Sequence, residues 1–188
     1  MKTNNVLMII DPQYDFISGS LACKDAIEKM TNLSYYIREN GKKYDSIVIT
    51  LDWHPSDHCS FIENGGEWPM HCVAHTKGAS VYQDIINMLP KDKKIYFLTK
   101  GDVYNVEEYS IMKNPASYSL LTFFILNKEN TTIDICGIAN EYCVLNTVKD
   151  LVENGFKDKI TVLKDFIACV ATDEPLLDFA KENNINVK

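Results

Sequence analysis

The residues of this sequence best suited to chemistry stand where short apolar runs end. Cys143 lies in GIANEYCVLNT, which joins a predicted strand to a predicted helix. Its thiol is therefore expected in the first helical turn, where unpaired backbone N–H groups and the helix dipole favour an anion and lower a thiol pKa. Lys100 follows a second apolar run and Asp11 a third. A charged lysine stabilises a thiolate, and a carboxylate can accept the thiol proton and later return it to a leaving group. Cys143, Lys100 and Asp11 thus form a coherent nucleophilic set. The same residues also allow a plainer reading, with Asp11 capping a turn, Lys100 solvated and Cys143 in the core.

A second constellation is denser. All four histidines, His54, His58, His71 and His75, fall within DWHPSDHCSFIENGGEWPMHCVAHTKGAS, the longest stretch without clear helix or strand periodicity. Asp52 and His54 are two apart at a strand end, which puts both side chains on one side of an extended chain, and His71 can return across the loop as a third ligand. One carboxylate and two imidazoles suit zinc, iron or manganese with positions left open. The competing reading is a closed structural zinc site drawn from His58, Cys59, His71, Cys72 and His75, although HC and HCxxH lack the paired CxxC spacing of such sites. Phe16, Trp68, Tyr104 and Tyr109 in presumed loops, with Tyr142 beside the thiol, are candidate substrate-binding walls for a flat ring. Loop aromatics also commonly cover core edges.

These residues need elements to hold them. Strand-like runs occur at Asn5 to Ile10, Ser46 to Leu51, Ile95 to Leu98, Thr132 to Ile138 and Lys159 to Leu163, and a short run at Ile185 to Val187 ends the series. Amphipathic stretches lie between them, chiefly Lys24 to Asn40, Val81 to Leu89, Glu141 to Asn154 and Asp173 to Asn183. Alternating strands and helices predict an α/β fold, a doubly wound open sheet of about six mostly parallel strands with helices on both faces. Such sheets bind ligands outside the carboxyl ends of their strands, where Asp11, Asp52, Lys100 and Cys143 converge. Leu120 to Leu126 reads as helix core. No GxGxxG or GxxxxGK[ST] occurs, so no nucleotide cofactor is expected.

The chain has 188 residues, 46% hydrophobic and 24% charged, which predicts one domain over 1–188 with a metal-binding loop region at about 52–79. Its 19 basic and 26 acidic residues give a formal charge of −7, which argues against nucleic-acid and membrane partners and favours a small-molecule substrate. No apolar run approaches the roughly 18 residues of a membrane span, and the first residues lack a signal-peptide pattern, so a cytoplasmic location is expected. Six cysteines scattered at 23, 59, 72, 136, 143 and 169 are expected as free thiols.

Five motifs then stand in order along nearly the whole chain: IIDPQYDF at 9–16, TLDWHPSDHCSF at 50–61, WPMHCVAHTKGA at 68–79, TKG at 99–101 and GIANEYCVLNT at 137–147. On these the sequence resembles the isochorismatase-like cysteine hydrolases, and within them the nicotinamidase (pyrazinamidase) branch. DWHP and WPxHC resemble nicotinamidases and not metal-free isochorismatases. The resemblance implies the isochorismatase-like hydrolase fold and deamidation of nicotinamide to nicotinate and ammonia, the first step of an NAD salvage route, with pyrazinamide as a further substrate. It implies Cys143 as nucleophile, Asp11 as general base and acid, and Lys100 as the cation holding the thiolate. Asp52, His54 and His71 match the metal ligands, and His58 is placed like a residue that joins the metal shell in some members. The metal, zinc first with iron and manganese as alternatives, holds the pyridine nitrogen in the family. Ile138–Ala139 matches a cis peptide that turns the Ala139 N–H, with that of Cys143, toward a developing oxyanion. Phe16 and Trp68 match the walls around the ring, and members often form homo-oligomers.

Two departures from the family pattern stand out. The turn reads Asn140–Glu141 where members commonly carry a small or hydroxyl residue followed by Asp, and two extra residues lie between Lys100 and Tyr109–Ser110. An inward Glu141 would oppose a thiolate, although solvent is its expected direction. The insertion bears on whether Tyr109 reaches the pocket. The alternatives are a related cysteine amidohydrolase for ureido or N-carbamoyl substrates and a zinc-stabilised binding protein with an inert Cys143. The second leaves Asp11 and Lys100 at one sheet edge unexplained.

Overall fold

The computed structural model describes residues 3–126 and 129–188. Its apolar runs become strands β1 (Asn4–Ile10), β2 (Ser46–Asp52), β3 (Lys94–Lys100), β4 (Thr131–Gly137), β5 (Ile160–Ile167) and β6 (Asn186–Val187). They form a six-stranded sheet in the order β3-β2-β1-β4-β5-β6. Every neighbouring pair is parallel, so the sheet expected as mostly parallel is wholly so. Val6 to Ile10 of β1 and all of β2 are buried, as strands covered on both faces must be. The edge strand β3 leaves Phe97 half exposed.

Helices α1 (Tyr14–Ile17), α2 (Ala26–Asn40), α3 (Gln83–Met88), α4 (Pro115–Leu120), α5 (Leu145–Leu151) and α6 (Glu174–Glu182) connect and cover the strands. On α2, Ala26, Met30, Leu33 and Ile37 recur at helical spacing and face the core. It packs on α3 and β5, while α5 packs on α6. Helix α4 starts from Asn114, whose side chain accepts the Ser117 N–H, with Pro115 in its first turn. A wide turn, Leu121–Ile125, extends it. The run Leu120 to Leu126 is core only in part: Leu121, Ile125 and Leu126 are buried, but Leu120 and Phe123 point outward, with Phe123 83% exposed. An apolar run on a surface helix still follows the helical period, so Leu120 and Phe123, three apart, share the face that meets solvent.

From β1 the chain steps outward through β2 to β3, then returns beside β1 and steps the other way through β4, β5 and β6. That reversal opens a crevice at the carboxyl ends of β1 and β4. Asp11 follows β1, Asp52 ends β2, Lys100 ends β3, and Cys143 lies in the wide turn Asn140–Val144 after β4. Among the described residues no helix is long and apolar enough to cross a membrane.

Candidate active site

Lys100 is the hub of the crevice. Its fully buried ammonium pairs with Asp11 Oδ2 at 2.9 Å and with Asp52 Oδ1, and donates to Cys143 Sγ at 3.4 Å. Burial disfavours the ammonium, but Asp11, Asp52 and Cys143 together outweigh that and hold the Lys100 pKa well above its ordinary value. Asp11 is also fully buried, in a left-handed backbone conformation (φ 45°) that is costly for a non-glycine residue. Burial raises its carboxyl pKa, Lys100 opposing and Asp52 adding to the rise. Its Oδ1 accepts the Thr50 hydroxyl at 2.5 Å, which leaves Oδ2 toward Lys100 and the thiol.

The thiol corrects one expectation. Cys143 is 5% exposed, and burial lifts its pKa well above the usual thiol value; Lys100 pulls it down, while Asp11 and Asp52 push it further up. A turn N-terminus and one lysine do not make a resting thiolate when two carboxylates share the same dry space. The proton must leave to a base, and an Asp11 carboxylate oxygen lies within 4.8 Å of Cys143 Sγ. Beside it the Ile138–Ala139 peptide is cis, and among the described residues the Ala139 N–H has no hydrogen-bond partner.

The other oxygen of Asp52 faces two imidazoles. Asp52 Oδ2 lies 3.6 Å from His54 Nε2 and 4.0 Å from His71 Nε2, and ligand atoms of the three residues lie within 4.8 Å of one another. His54 Nδ1 pairs with the Gly101 carbonyl at 2.9 Å and His71 Nδ1 with the Pro69 carbonyl at 2.7 Å. A carbonyl only accepts, so both Nδ1 atoms carry a proton, and both Nε2 atoms face Asp52, each offering a lone pair to a metal when its ring is neutral. Burial works against a proton on His54, but Asp52 outweighs it and raises the His54 pKa; burial lowers that of His71. Asp52 itself is held below the usual carboxylate range, Lys100, His54 and His71 overcoming the cost of burial. Two imidazoles whose Nε2 atoms face one carboxylate fit a divalent cation. Asp11, Asp52 and Cys143 also cluster, but the Lys100 ammonium already occupies their midst.

His58 is placed differently. Its ring stacks on His54 at 4.1 Å between centroids, and its nitrogens are engaged by Ser60 Oγ at 2.7 Å and the Val106 carbonyl at 3.0 Å. It buttresses His54 and does not join the three-residue cluster. His75 packs edge-on against Trp53, so the closed zinc site drawn from the two HC pairs is not assembled among the described residues.

Phe16, Trp68, Tyr109 and Tyr142 line one pocket together with Asp52, Ala139 and Cys143. Trp68 Nε1 donates to Tyr109 Oη at 3.0 Å, and the Trp68 and Tyr142 rings meet edge to face at 4.9 Å. Tyr109 therefore reaches the pocket despite the insertion. Tyr104 does not: its side chain is 59% exposed, and it contributes a carbonyl that accepts the Cys59 N–H. Glu141 points neither at the thiol nor freely into solvent. Its carboxylate accepts the Val170, Ala171 and Thr172 N–H groups at 3.0, 2.6 and 2.8 Å, and these outweigh partial burial to lower its pKa.

Sequence reasoning passed over two supports. Gln13 is fully buried and brackets the Asp52 backbone, donating to its carbonyl at 2.7 Å and accepting its N–H at 2.8 Å. Thr50 sets Asp11 as described. Each is a lone polar residue in or beside a buried run, the signal that could have marked them.

An open parallel sheet carrying buried thiol, ammonium and carboxylate at its switch point, beside three residues that could hold a cation, is the arrangement of a cysteine hydrolase on a doubly wound α/β sheet. The sequence matches the Isochorismatase domain over residues 5–184, and the chain belongs to that family. It is 30% identical to the nicotinamidase of Saccharomyces cerevisiae, covering 100% of this chain and 99% of that protein. The pyrazinamidase of Pyrococcus horikoshii, solved in complex with zinc, superposes with a TM-score of 0.81 at 31% identity, covering 98% of each chain. PnC1 from L. infantum, solved in complex with nicotinate, gives 0.84 at 28% identity, covering 99% of this chain and 92% of that one.

Proposed function

We propose that this protein is a nicotinamidase, hydrolysing nicotinamide to nicotinate and ammonia and acting also on pyrazinamide. The observation that carries the reading is that the aromatic side chains of Phe16, Trp68, Tyr109 and Tyr142 line the same pocket as Cys143 and Asp52. A flat ring amide fits such walls, and the nicotinamidase and pyrazinamidase relatives support the choice of amide. Asp52, His54 and His71 are the residues that would hold the divalent metal, with zinc the favoured ion. When bound, the metal supplies a Lewis-acid point for the ring nitrogen.

In this reading Asp11 takes the Cys143 proton as Sγ forms a bond to the carboxamide carbon, and the C=O electron pair moves to oxygen. The Ala139 and Cys143 N–H groups stabilise that oxyanion. The carbon–nitrogen bond breaks as Asp11 returns the proton to nitrogen, so ammonia leaves and a thioester remains. Asp11 then deprotonates water, hydroxide adds to the thioester carbon, and the carbon–sulfur bond breaks with the proton returning to sulfur. Lys100 stays charged throughout and compensates the sulfur anion. The whole chain acts as one domain, with 52–79 as its metal-binding loop region, in a cytoplasmic setting that suits six free thiols. The test is ammonia release by wild-type protein against Cys143→Ala and His54→Ala, on nicotinamide and on ureido and N-carbamoyl amides. Release from nicotinamide that both variants lose supports the reading; release from the ureido or N-carbamoyl amides alone overturns it.

A further inference from the structure

We propose that Glu108 is a positioning residue that holds the turn after β3 and thereby sets both the His54 ring and the Lys100 ammonium. The inference rests on the reading of Asp52, His54 and His71 as a metal site. Asp102 to Glu107 are exposed, and Glu108 alone turns inward before Tyr109, with only 4% exposure. Its Oε2 accepts the Gly101 N–H at 2.7 Å and the Asn114 Nδ2–H at 3.0 Å, and among the described residues no cation pairs with it.

The Gly101 N–H belongs to the peptide that follows Lys100, and the carbonyl of that same peptide accepts the Trp53 N–H at 2.9 Å. The unit is thus pinned from both sides, one of them by Glu108 alone. The next carbonyl, that of Gly101, fixes His54 Nδ1 at 2.9 Å. Gly101 has φ +67°, and a Cβ there would come within 2.5 Å of His54 Cε1, so turn and ring are in direct contact. Asn114 ties the carboxylate to the start of α4, and Ser117 Oγ ties α4 to the Thr99 carbonyl at 2.7 Å. A displacement of the turn therefore moves the His54 ring and the root of Lys100 together.

A buried carboxylate without a cation is costly, and an apolar side chain would fill the space at less cost to stability. What Glu108 supplies is an acceptor aimed at one N–H. Partners behind a metal-ligating histidine commonly change metal affinity by about 10–100-fold when removed. The experiment is titration of metal-free protein with zinc against a competing chelator, with thermal unfolding alongside, for wild type, Glu108→Ala, Glu108→Gln and Glu108→Asp. Glu108→Ala is expected to weaken zinc by about 10–100-fold. Glu108→Gln, which keeps an oxygen for the Gly101 N–H, restores most of it. Should Glu108→Ala fail to fold, Glu108→Asp, whose carboxylate is withdrawn by one methylene, shows the weakening instead. Zinc affinity like wild type in a folded Ala or Asp variant, or equal losses in Gln and Ala, overturns the proposal even if the melting temperature falls. Wild-type protein that holds neither zinc, iron nor manganese overturns the metal reading and this inference with it.

Discussion

Replacing Thr50 by valine keeps the shape of a fully buried side chain and removes one hydroxyl from the catalytic edge. That hydroxyl donates to Asp11 Oδ1 at 2.5 Å and accepts the Asp11 N–H at 3.2 Å. The N–H retains the Thr50 carbonyl, also at 3.2 Å, so the loss falls on the carboxylate. A hydrogen bond to a charged group contributes about 1.5–3 kcal/mol, and one pKa unit is about 1.4 kcal/mol. The Asp11 pKa, already raised by burial against the pull of Lys100, should therefore rise further as the ionised form loses that about 1.5–3 kcal/mol. Asp11 must be ionised to take the thiol proton, so the acid limb of kcat/KM moves to higher pH. Stability changes with the matching sign. The substitution leaves the unfolded pKa unchanged, so the cost of Thr50→Val is full above the variant's raised folded pKa and is lost as pH falls through the wild-type folded pKa. The assay is the pH profile of nicotinamide hydrolysis with urea unfolding at acid and neutral pH, and Thr50→Ser as the variant that keeps the hydroxyl. A folded Thr50→Val protein with an unmoved acid limb refutes the claim that this hydroxyl tunes Asp11.

Three further outcomes follow from the same geometry. A metal takes His54 only as a neutral ring, and Asp52 favours the proton on it, so protons compete with zinc and its affinity should fall as pH drops; a calorimetric titration in buffers of different ionisation heat checks the proton release. Glu141→Gln weakens three N–H contacts to the loop after β5. Because its folded pKa is lowered, Glu141 contributes stability above the ordinary carboxyl pKa and loses it as pH falls through the folded value. The variant should lose about 1 kcal/mol at neutral pH after solvent screening, and little in acid, by urea unfolding. Trp68→Phe keeps a pocket wall and removes the donor to Tyr109 Oη, so KM should rise several-fold with kcat little changed in steady-state kinetics.

Much of this site is legible in the sequence because of where its residues stand. Asp52 and Lys100 are polar ends of apolar strands, Asp11 directly follows one, and a parallel sheet brings such ends to one edge. The crowding of histidines between 54 and 75 likewise marks the loop that brings His54 and His71 to Asp52, although His58 and His75 stand outside that cluster. Burial was not legible. Local spacing predicted a lowered thiol pKa, but desolvation and the carboxylates of distant strands reverse it. Glu108, Gln13 and Thr50 act through contacts between residues far apart in the chain, or through a turn whose φ the sequence does not announce. Tyr104 and Tyr109 looked alike as loop aromatics, and only the inward turn at Glu108 separates them.

The central claim is that a thiol and a metal set act together on a ring amide, and the direct measurement is ammonia released from nicotinamide by purified protein. It is made before chelation, after chelation and after restoring zinc, iron or manganese, with Cys143→Ala as the control. The account predicts release that disappears on chelation, returns with metal and is absent in Cys143→Ala. Release that persists in Cys143→Ala, or none under any metal, contradicts it.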